Sequence, residues 1–206
     1  MEGSRDVSLS EALLREPLRA HLAQRVPRVM PSGSGTAAGV LVPLFERDGD
    51  VHVWLMRRPA SMRNHSGQVA FPGGKRDPSD GSLLATALRE AEEEIGISAA
   101  AVDVLGQLDD YMTITQFVMT PYVGWVAHDA LLSPSTTEVA RLFSAPLTTF
   151  LGSPAGIPPF GGYSVDGEFV WGATAAVLRA LGEIVLHVAE ASDVAGSAGG
   201  RGAREA

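Results

Sequence analysis

The sequence predicts an α/β fold, because strand-like segments alternate with segments of helical periodicity. Residues 37–46 and 51–58 are rich in β-branched and aromatic residues and flank a polar turn. The stretch between Ser82 and Gly96 has apolar residues at helical spacing, with a capping serine before it and a terminating glycine after it. The chain has 206 residues, a length sufficient for one domain with a hydrophobic core. Its composition, 45% hydrophobic and 19% charged residues, is ordinary for a globular protein.

Charge and composition exclude several classes of function. The net charge is −8, which argues against nonspecific nucleic-acid binding because a phosphate backbone needs a basic face. The absence of cysteine excludes disulfides, thiolate metal sites and a cysteine nucleophile. No run approaches the ~18 apolar residues of a membrane span, and no apolar signal core follows the first residues. We therefore expect a cytoplasmic protein without a membrane partner.

The first part of the chain, residues 1–35, is expected to be an N-terminal helix and a linker. Residues 8–25 have a leucine stripe on one face, formed by Leu14, Leu18 and Leu22. Pro17 either lies inside this helix, where it removes a hydrogen bond, or starts a second helix. The Pro- and Gly-rich stretch at 31–35 predicts a flexible link.

The middle of the chain, residues 36–190, is expected to form the main domain. In the first strand, 37–46, Pro43 indicates an edge position or a bulge. After the helix that ends at Gly96, residues 102–108 form a strand and 116–127 form one or two more.

The last part of the main domain contains another helix, a hairpin and a final helix. Residues 133–138 are expected to open a helix, and 163–171 form a hairpin around Asp166-Gly167. The final helix extends to about residue 189. Residues 191–206 are mainly Gly, Ala, Ser and charged residues without periodicity, which predicts a disordered tail.

The helix before Gly96 carries an unusual group of carboxylates. Glu90, Glu93 and Glu94 lie within an arc of roughly 100° beside an apolar stripe, whose members are Leu84, Leu88, Ala91 and Ile95. Like charges at this spacing repel by roughly 0.2–0.5 kcal/mol per pair, and acids in a last turn oppose the helix dipole. The group is therefore either a solvated acidic face or the oxygen donor set of a hard divalent cation such as Mg²⁺ or Mn²⁺.

The loop before this helix favours the second interpretation. Pro72-Gly73-Gly74 lets the backbone approach a ligand closely, because glycine has no Cβ. A backbone carbonyl in this loop could complete the shell of a metal ion.

Together, the loop and the helix resemble the signature of the Nudix hydrolase family. Residues 89–97, Arg-Glu-Ala-Glu-Glu-Glu-Ile-Gly-Ile, match its second half completely. The spacing from Gly74 to Arg89 is one residue longer than in the general family, and Gly81 stands where the first glutamate is expected. Asp77 or Asp80 would take the place of that acid.

A second pattern resembles the coenzyme A pyrophosphatase branch of the family. The positions in register with it are Leu55, Arg58, Arg63, Gly67 and Phe71-Pro72-Gly73-Gly74. The positions that depart from it are Trp54, Met56 and Pro59. The resemblance covers roughly residues 37–188 and implies a Nudix-type α/β/α sandwich, with a mixed β-sheet between helices.

The resemblance also implies a site and a reaction. Mg²⁺ or Mn²⁺ would be bound by Glu90, Glu93, Glu94 and the carbonyl of Gly73, and water would attack a small-molecule diphosphate. A glutamate of this cluster, or Glu138, would accept the proton from water, and Arg89 would orient the cluster by pairing with Glu93. The residues expected to contact the phosphates are Arg58, Arg63, Lys75 and Arg76.

Three alternatives remain at this point. The enzyme could act on another diphosphate such as ADP-ribose, NADH or a nucleoside triphosphate. The chain could be a noncatalytic binding module of the same fold, although such modules usually lose the carboxylates. The acidic helix could also be structural only. The oligomeric state stays open, a homodimer included.

Overall fold

The computed structural model describes residues 9–31, 33–61, 66–152, 154 and 161–199, the last eight of them as backbone only. This part of the chain contains three α-helices, α1 (Glu11–Gln24), α2 (Leu83–Ile95) and α3 (Gly172–Gly199). It also contains ten strands: β1 (Thr36–Arg47), β2 (Asp50–Arg57), β3 (Val69–Ala70), β4 (Gly73–Lys75), β5 (Val102–Gln107), β6 (Tyr111–Met112), β7 (Phe117–Val126), β8 (Arg141–Pro146), β9 (Gly162–Val165) and β10 (Glu168–Trp171).

Eight strands form one mixed sheet. Its main order is β3-β2-β1-β7-β5, with β4 on β1, β6 on β7 and β8 on β2. β1 and β7 are parallel over nine residue pairs, from Thr36 with Phe117 to Leu44 with Trp125. The other pairings are antiparallel. β9 and β10 form a separate hairpin, as the sequence predicts, with Asp166 and Gly167 at positive φ in its turn.

Helices cover both faces of the sheet. Val40, Val42 and Leu44 of β1 face the core that contains the buried residues of α1 and α3. Leu41, which points the other way because strand side chains alternate, packs against α2. The predicted α/β/α sandwich is therefore confirmed.

Helix α1 is one continuous helix with Pro17 inside it. Its stripe of Leu14, Leu18 and Leu22 is buried in the same core as α3. The carboxylate of Glu46 accepts a hydrogen bond of 2.7 Å from the backbone N–H of Glu11, one of the unpaired donors at the start of the helix. The predicted boundary between an N-terminal segment and the main domain at residue 36 stays a prediction. The buried leucines of α1 belong to the same hydrophobic core as the sheet.

Helix α3 is longer than the sequence predicts, while the predicted domain boundary at residue 190 stays a prediction. It extends to Gly199, so residues 191–199 are helical where a disordered tail was expected, and 200–206 lie outside the described residues. Its segment Gly172–Ala191 is long and apolar enough to cross a membrane, with a mean hydropathy of 1.4, although the sequence contains no unbroken apolar run of that length. Because Leu178, Leu181 and Val185 are fully buried against the sheet, this is the pattern of a core helix.

The expectation that Pro43 marks an edge strand is wrong, because β1 lies in the middle of the sheet. On one side, β1 pairs with β4 through residues 38–40 and with β2 through residues 44–47. Pro43 falls in the gap between these two partners, where the N–H that proline lacks is not needed. The position is thus compatible with a central strand.

The helix expected to open at 133–138 is also absent from the structure, which has a turn at 136–138 and then strand β8. The N–H groups of Ser133 and Ser135 instead donate to the carbonyls of Ile95 and Glu94, at 3.0 and 2.8 Å. The last carbonyls of a helix have no hydrogen-bond donor within the helix itself. The segment therefore caps the end of α2 instead of starting a helix of its own.

Candidate active site

Helix α2 begins and ends where the sequence predicts. The hydroxyl of Ser82 accepts a hydrogen bond of 3.1 Å from the backbone N–H of Ala85. Gly96 adopts a left-handed conformation with φ of 77°, and its N–H donates to the carbonyls of Ala91 and Glu92. These caps fix the length of the helix and hence the position of the glutamates in its last two turns.

Small residues bring α2 close to the sheet. A Cβ on Gly39 of β1 would lie 2.1 Å from the carbonyl oxygen of Leu83, so only glycine fits at this crossing. Ala87 and Ala91 are fully buried against Leu41. The predicted stripe is therefore shifted: Ala87, Ala91 and Ile95 are buried, whereas Leu84 and Leu88 are only partly so.

Glu94 is the most buried of the three glutamates, with 2% of its surface exposed. Its Oε2 accepts a hydrogen bond of 2.8 Å from the backbone N–H of Gly73, and its Oε1 lies 3.2 Å from Nη2 of Arg58. Burial raises the pKa of Glu94 to about 7, against the opposing effects of Arg58 and the Gly73 N–H. The helix and the Gly-rich loop thus meet at this carboxylate.

Glu90 lies against the next residue of the loop. A Cβ on Gly74 would come within 2.5–2.6 Å of the carboxylate of Glu90, so the absent side chain leaves the room that this carboxylate fills. Burial raises the pKa of Glu90, and the charges of Glu93 and Glu138 add to the rise. Glu138 is exposed, but its charge also raises the pKa of Glu94. The predicted fourth glutamate therefore lies within electrostatic reach of two of the other three.

Glu93 differs from its two neighbours. Its side chain is 56% exposed, and its Oε2 accepts a hydrogen bond of 3.0 Å from Nη1 of Arg89, the pairing that the sequence predicts. Glu90 contacts the same guanidinium at 2.9 Å, so Arg89 joins Glu90 and Glu93, whereas Glu94 is paired with Arg58 and the Gly73 N–H. Within the described residues, no group of three or more His, Asp or Glu side chains is placed to hold a metal ion as it stands.

Asp80, one of the two candidates for the acid missing at Gly81, is buried before α2. Its carboxylate accepts two hydrogen bonds of 3.1 Å from Arg89, one of 2.8 Å from the hydroxyl of Thr86 and one of 3.0 Å from the backbone N–H of Asp77. The hydrogen bonds from Arg89 hold the pKa of Asp80 well below its usual range. Of the two candidate acids, Asp80 is therefore the one that contacts the signature helix, whereas Asp77 is exposed.

The predicted phosphate contacts occupy different environments. Arg58 is largely buried and contacts the carbonyl of Gly73 at 3.0 Å as well as Glu94. Lys75 and Arg76 are exposed at the end of β4, and Arg76 donates to the carbonyl of Asp80 at 3.1 Å. Arg63 lies outside the described residues.

The position of the Gly-rich loop depends on a contact that the sequence analysis missed. The hydroxyl of Thr174, near the start of α3, donates a hydrogen bond of 3.0 Å to the carbonyl of Val69 in β3, and both groups are buried. β3 leads directly into Phe71-Pro72-Gly73. Thr174 stands out in the sequence as the polar residue of an otherwise apolar first turn, but nothing near it indicates its partner.

The donor atoms fit a hard divalent cation. They are carboxylate oxygens of Glu90 and Glu94, with Glu93 one turn away from Glu90, and the carbonyl oxygen of Gly73, which is the oxygen chemistry that Mg²⁺ and Mn²⁺ prefer. Burial raises the pKa of both Glu90 and Glu94, so the ionised form of each carboxylate is destabilised where it lies. A cation at this position would relieve that cost.

Comparison with known proteins shows the family of this chain. The family model of the NUDIX domain matches residues 35–148. A Yersinia enterocolitica protein named uncharacterized Nudix hydrolase NudL is 41% identical over 181 residues, which cover 81% of this chain and 90% of that protein. A protein of the same name from Cronobacter sakazakii is 40% identical over 163 residues, covering 74% and 83%. The fold and the acidic helix thus define a hydrolase, and the chain belongs to the Nudix family.

Solved structures support the fold. The crystal structure of a NUDIX hydrolase from Alicyclobacillus acidocaldarius superposes with a TM-score of 0.56 at 23% identity, covering 76% of this chain and 93% of that one. A Nudix hydrolase from M. smegmatis, RenU, gives a TM-score of 0.55 at 20% identity, covering 74% and 86%. At this level of identity, the likeness concerns the fold alone.

Proposed function

We propose that this protein is a metal-dependent pyrophosphatase that hydrolyses the diphosphate of coenzyme A or its derivatives to adenosine 3′,5′-bisphosphate and 4′-phosphopantetheine. The observation that carries the metal site is the buried Glu94 carboxylate, held against the Gly73 backbone beside Glu90. The choice of coenzyme A is supported by the resemblance of Leu55, Arg58 and the Phe71–Gly74 stretch to that branch.

In this proposal Glu90, Glu93, Glu94 and the Gly73 carbonyl hold Mg²⁺ or Mn²⁺. When bound, the ion supplies Lewis-acid charge to the diphosphate and lowers the pKa of a coordinated water. Arg89, fixed by Asp80, holds Glu90 and Glu93 in place through contacts of 2.9 and 3.0 Å. A glutamate of the cluster, or Glu138, accepts the proton as water attacks one phosphorus and the P–O–P bond breaks.

Basic side chains near the loop would bind the phosphates of the substrate. Lys75 and Arg76 are exposed and directly follow Gly74, which lies against Glu90, and Arg58 is in contact with Glu94. A planar guanidinium can bind two phosphate oxygens at once, which suits a diphosphate. We assign the same role to Arg63, and we infer that the enzyme works in the cytoplasm on a soluble substrate.

A second candidate is hydrolysis of another diphosphate, and the departures at Trp54, Met56 and Pro59 favour it. The test is a comparison of kcat/KM for coenzyme A, NADH and ADP-ribose with Mn²⁺, together with analysis of the products. Coenzyme A should give the highest value and two phosphomonoester products. A higher kcat/KM for NADH or ADP-ribose would show that coenzyme A is not the preferred substrate. If none of the diphosphates is hydrolysed, a noncatalytic binding module is favoured.

A further inference from the structure

Arg58, at the end of β2, makes an unusual pair of contacts for a residue expected to bind substrate. Its Nη2 lies 3.2 Å from Oε1 of Glu94 and 3.0 Å from the carbonyl oxygen of Gly73. The side chain is 18% exposed, and that of Glu94 is 3% exposed. One guanidinium nitrogen therefore lies between a buried carboxylate and a buried backbone carbonyl.

These two oxygens belong to two of the four groups assigned to the divalent ion. A positively charged group thus already contacts two of the oxygens that would bind the ion. Two cations in contact with one carboxylate repel each other strongly in a partly buried site, because the Coulomb energy rises as the effective dielectric falls. Arg58 and the divalent ion therefore compete for Glu94.

We propose that Arg58 is an exchangeable counter-cation, which holds Glu94 and the Gly73 carbonyl together in the metal-free protein and is displaced when a divalent ion binds. The inference rests on the proposed function, since it takes Glu94 and Gly73 as metal ligands. Burying an unpaired carboxylate is costly, so the pair preserves the shape of the site before the metal arrives. The displaced guanidinium remains beside the loop, where the diphosphate would bind.

If Arg58 is instead a permanent partner of Glu94, its removal has a different expected effect on the affinity for the divalent ion. If Arg58 stayed on Glu94 with the ion bound, its removal would leave the metal affinity unchanged or would weaken it by releasing Glu94. If it is displaced, its removal abolishes the competition, and the ion binds more tightly. The sign of the change in affinity separates the two roles.

The experiment is a titration of the full-length, substrate-free protein with Mn²⁺, in which free Mn²⁺ is measured by electron paramagnetic resonance. Wild type is compared with Arg58→Gln and with Arg179→Gln. The latter removes the same charge from an exposed pair with Glu183 on α3. We expect the Kd of Arg58→Gln to fall by at least about tenfold, the order expected when a unit charge in contact with the ligand is removed. Arg179→Gln should match the wild type.

Thermal unfolding gives an independent readout. In chelator at about pH 8, where Glu94 is ionised, Arg58→Gln should unfold at a lower temperature than wild type, because Glu94 is left without its counter-cation. Saturating Mn²⁺ should remove most of this difference, so the variant gains more from the ion than wild type does. If Arg58→Gln does not fold in chelator, recovery of the folded state on adding Mn²⁺ supports the proposal, and failure to recover contradicts it.

The outcomes separate this inference from the proposed function. Wild type that binds Mn²⁺, with an equal or higher Kd for Arg58→Gln, overturns the exchange and leaves the metal-dependent enzyme standing. Wild type and variant that both fail to bind Mn²⁺ overturn the metal site and the exchange together.

Discussion

Asp80, just before α2, and Arg89, two turns into it, form a two-bond ion pair in which both N–O distances are 3.1 Å. The same guanidinium contacts Glu90 at 2.9 Å and Glu93 at 3.0 Å. Asp80 therefore controls an arginine that touches two of the three signature glutamates. Asp80 reaches Arg89 from the position directly before Gly81, where the resemblance predicts an acid.

Replacing Asp80 by Asn tests this link. Asn keeps the shape but loses the charge that holds Arg89, so we expect kcat/KM to fall by about 10- to 100-fold, as when a residue that orients a metal ligand is lost. Asp77→Asn is the control, because Asp77 is exposed and does not contact Arg89 through its carboxylate in the described structure; it should stay within about twofold of wild type. Equal loss in both variants would contradict a special role for Asp80.

Gly74→Ala tests the close fit between the loop and Glu90. The added Cβ would lie 2.5 Å from Cδ of Glu90, so the carboxylate must move. A shift of about 1 Å in a reacting group can cost about 10²-fold in rate, and we expect a loss of that order in kcat. In Gly81→Ala the new Cβ meets nothing within 4 Å, and activity should be retained. Steady-state kinetics with both proteins would decide, and an active Gly74→Ala would count against this position of Glu90.

Glu93→Gln should separate activity from stability. Its side chain is 56% exposed in an i,i+4 pair with Arg89, so the free energy of unfolding should change by less than about 0.5 kcal/mol. Turnover should fall by about 10²-fold or more if Glu93 binds the ion or accepts the proton. Glu92→Gln, also exposed on the same helix, is the matched control. Full turnover of Glu93→Gln at saturating Mn²⁺ would remove Glu93 from the site.

The pKa of Glu94 predicts how the stability of the metal-free protein depends on pH. Because this pKa rises from 4.5 to about 7 on folding, the folded state holds a proton that the unfolded state has lost between these values. The free energy of unfolding should therefore fall as pH rises through this window, by up to about 1.4 kcal/mol per pH unit. Glu94→Gln should lack this component.

Urea unfolding in chelator at several pH values measures the difference between the two proteins. The difference should change across the window and level off above about pH 7. A constant difference would show that burial does not perturb Glu94 in this way.

The features that the sequence predicted depend on local signals. Ser82, Gly96 and the glutamate spacing define α2 from residues next to one another. The turn at Asp166-Gly167 follows from residues that tolerate positive φ. The α/β/α sandwich was predicted from the family resemblance. The side chains of β1, which point alternately to the two helix-covered faces of the sheet, agree with it.

The features that it missed depend on contacts between distant segments. Gly39 permits the approach of α2 only because β1 crosses the helix at Leu83. Ser133 and Ser135 cap α2 instead of starting a helix, since the end of α2 lies beside them in space. The contact between Thr174 and Val69 joins α3 to β3 across more than one hundred positions, and no local pattern indicates it.

The metal site is tested most directly by the anomalous diffraction of a crystal of this protein soaked in MnCl₂. We expect a manganese peak within coordination distance of carboxylate oxygens of Glu90 and Glu94, with the Arg58 guanidinium moved away from Glu94. Carboxylates that coordinate nothing in a fully soaked crystal, with Arg58 still between Glu94 and the Gly73 carbonyl, would contradict it.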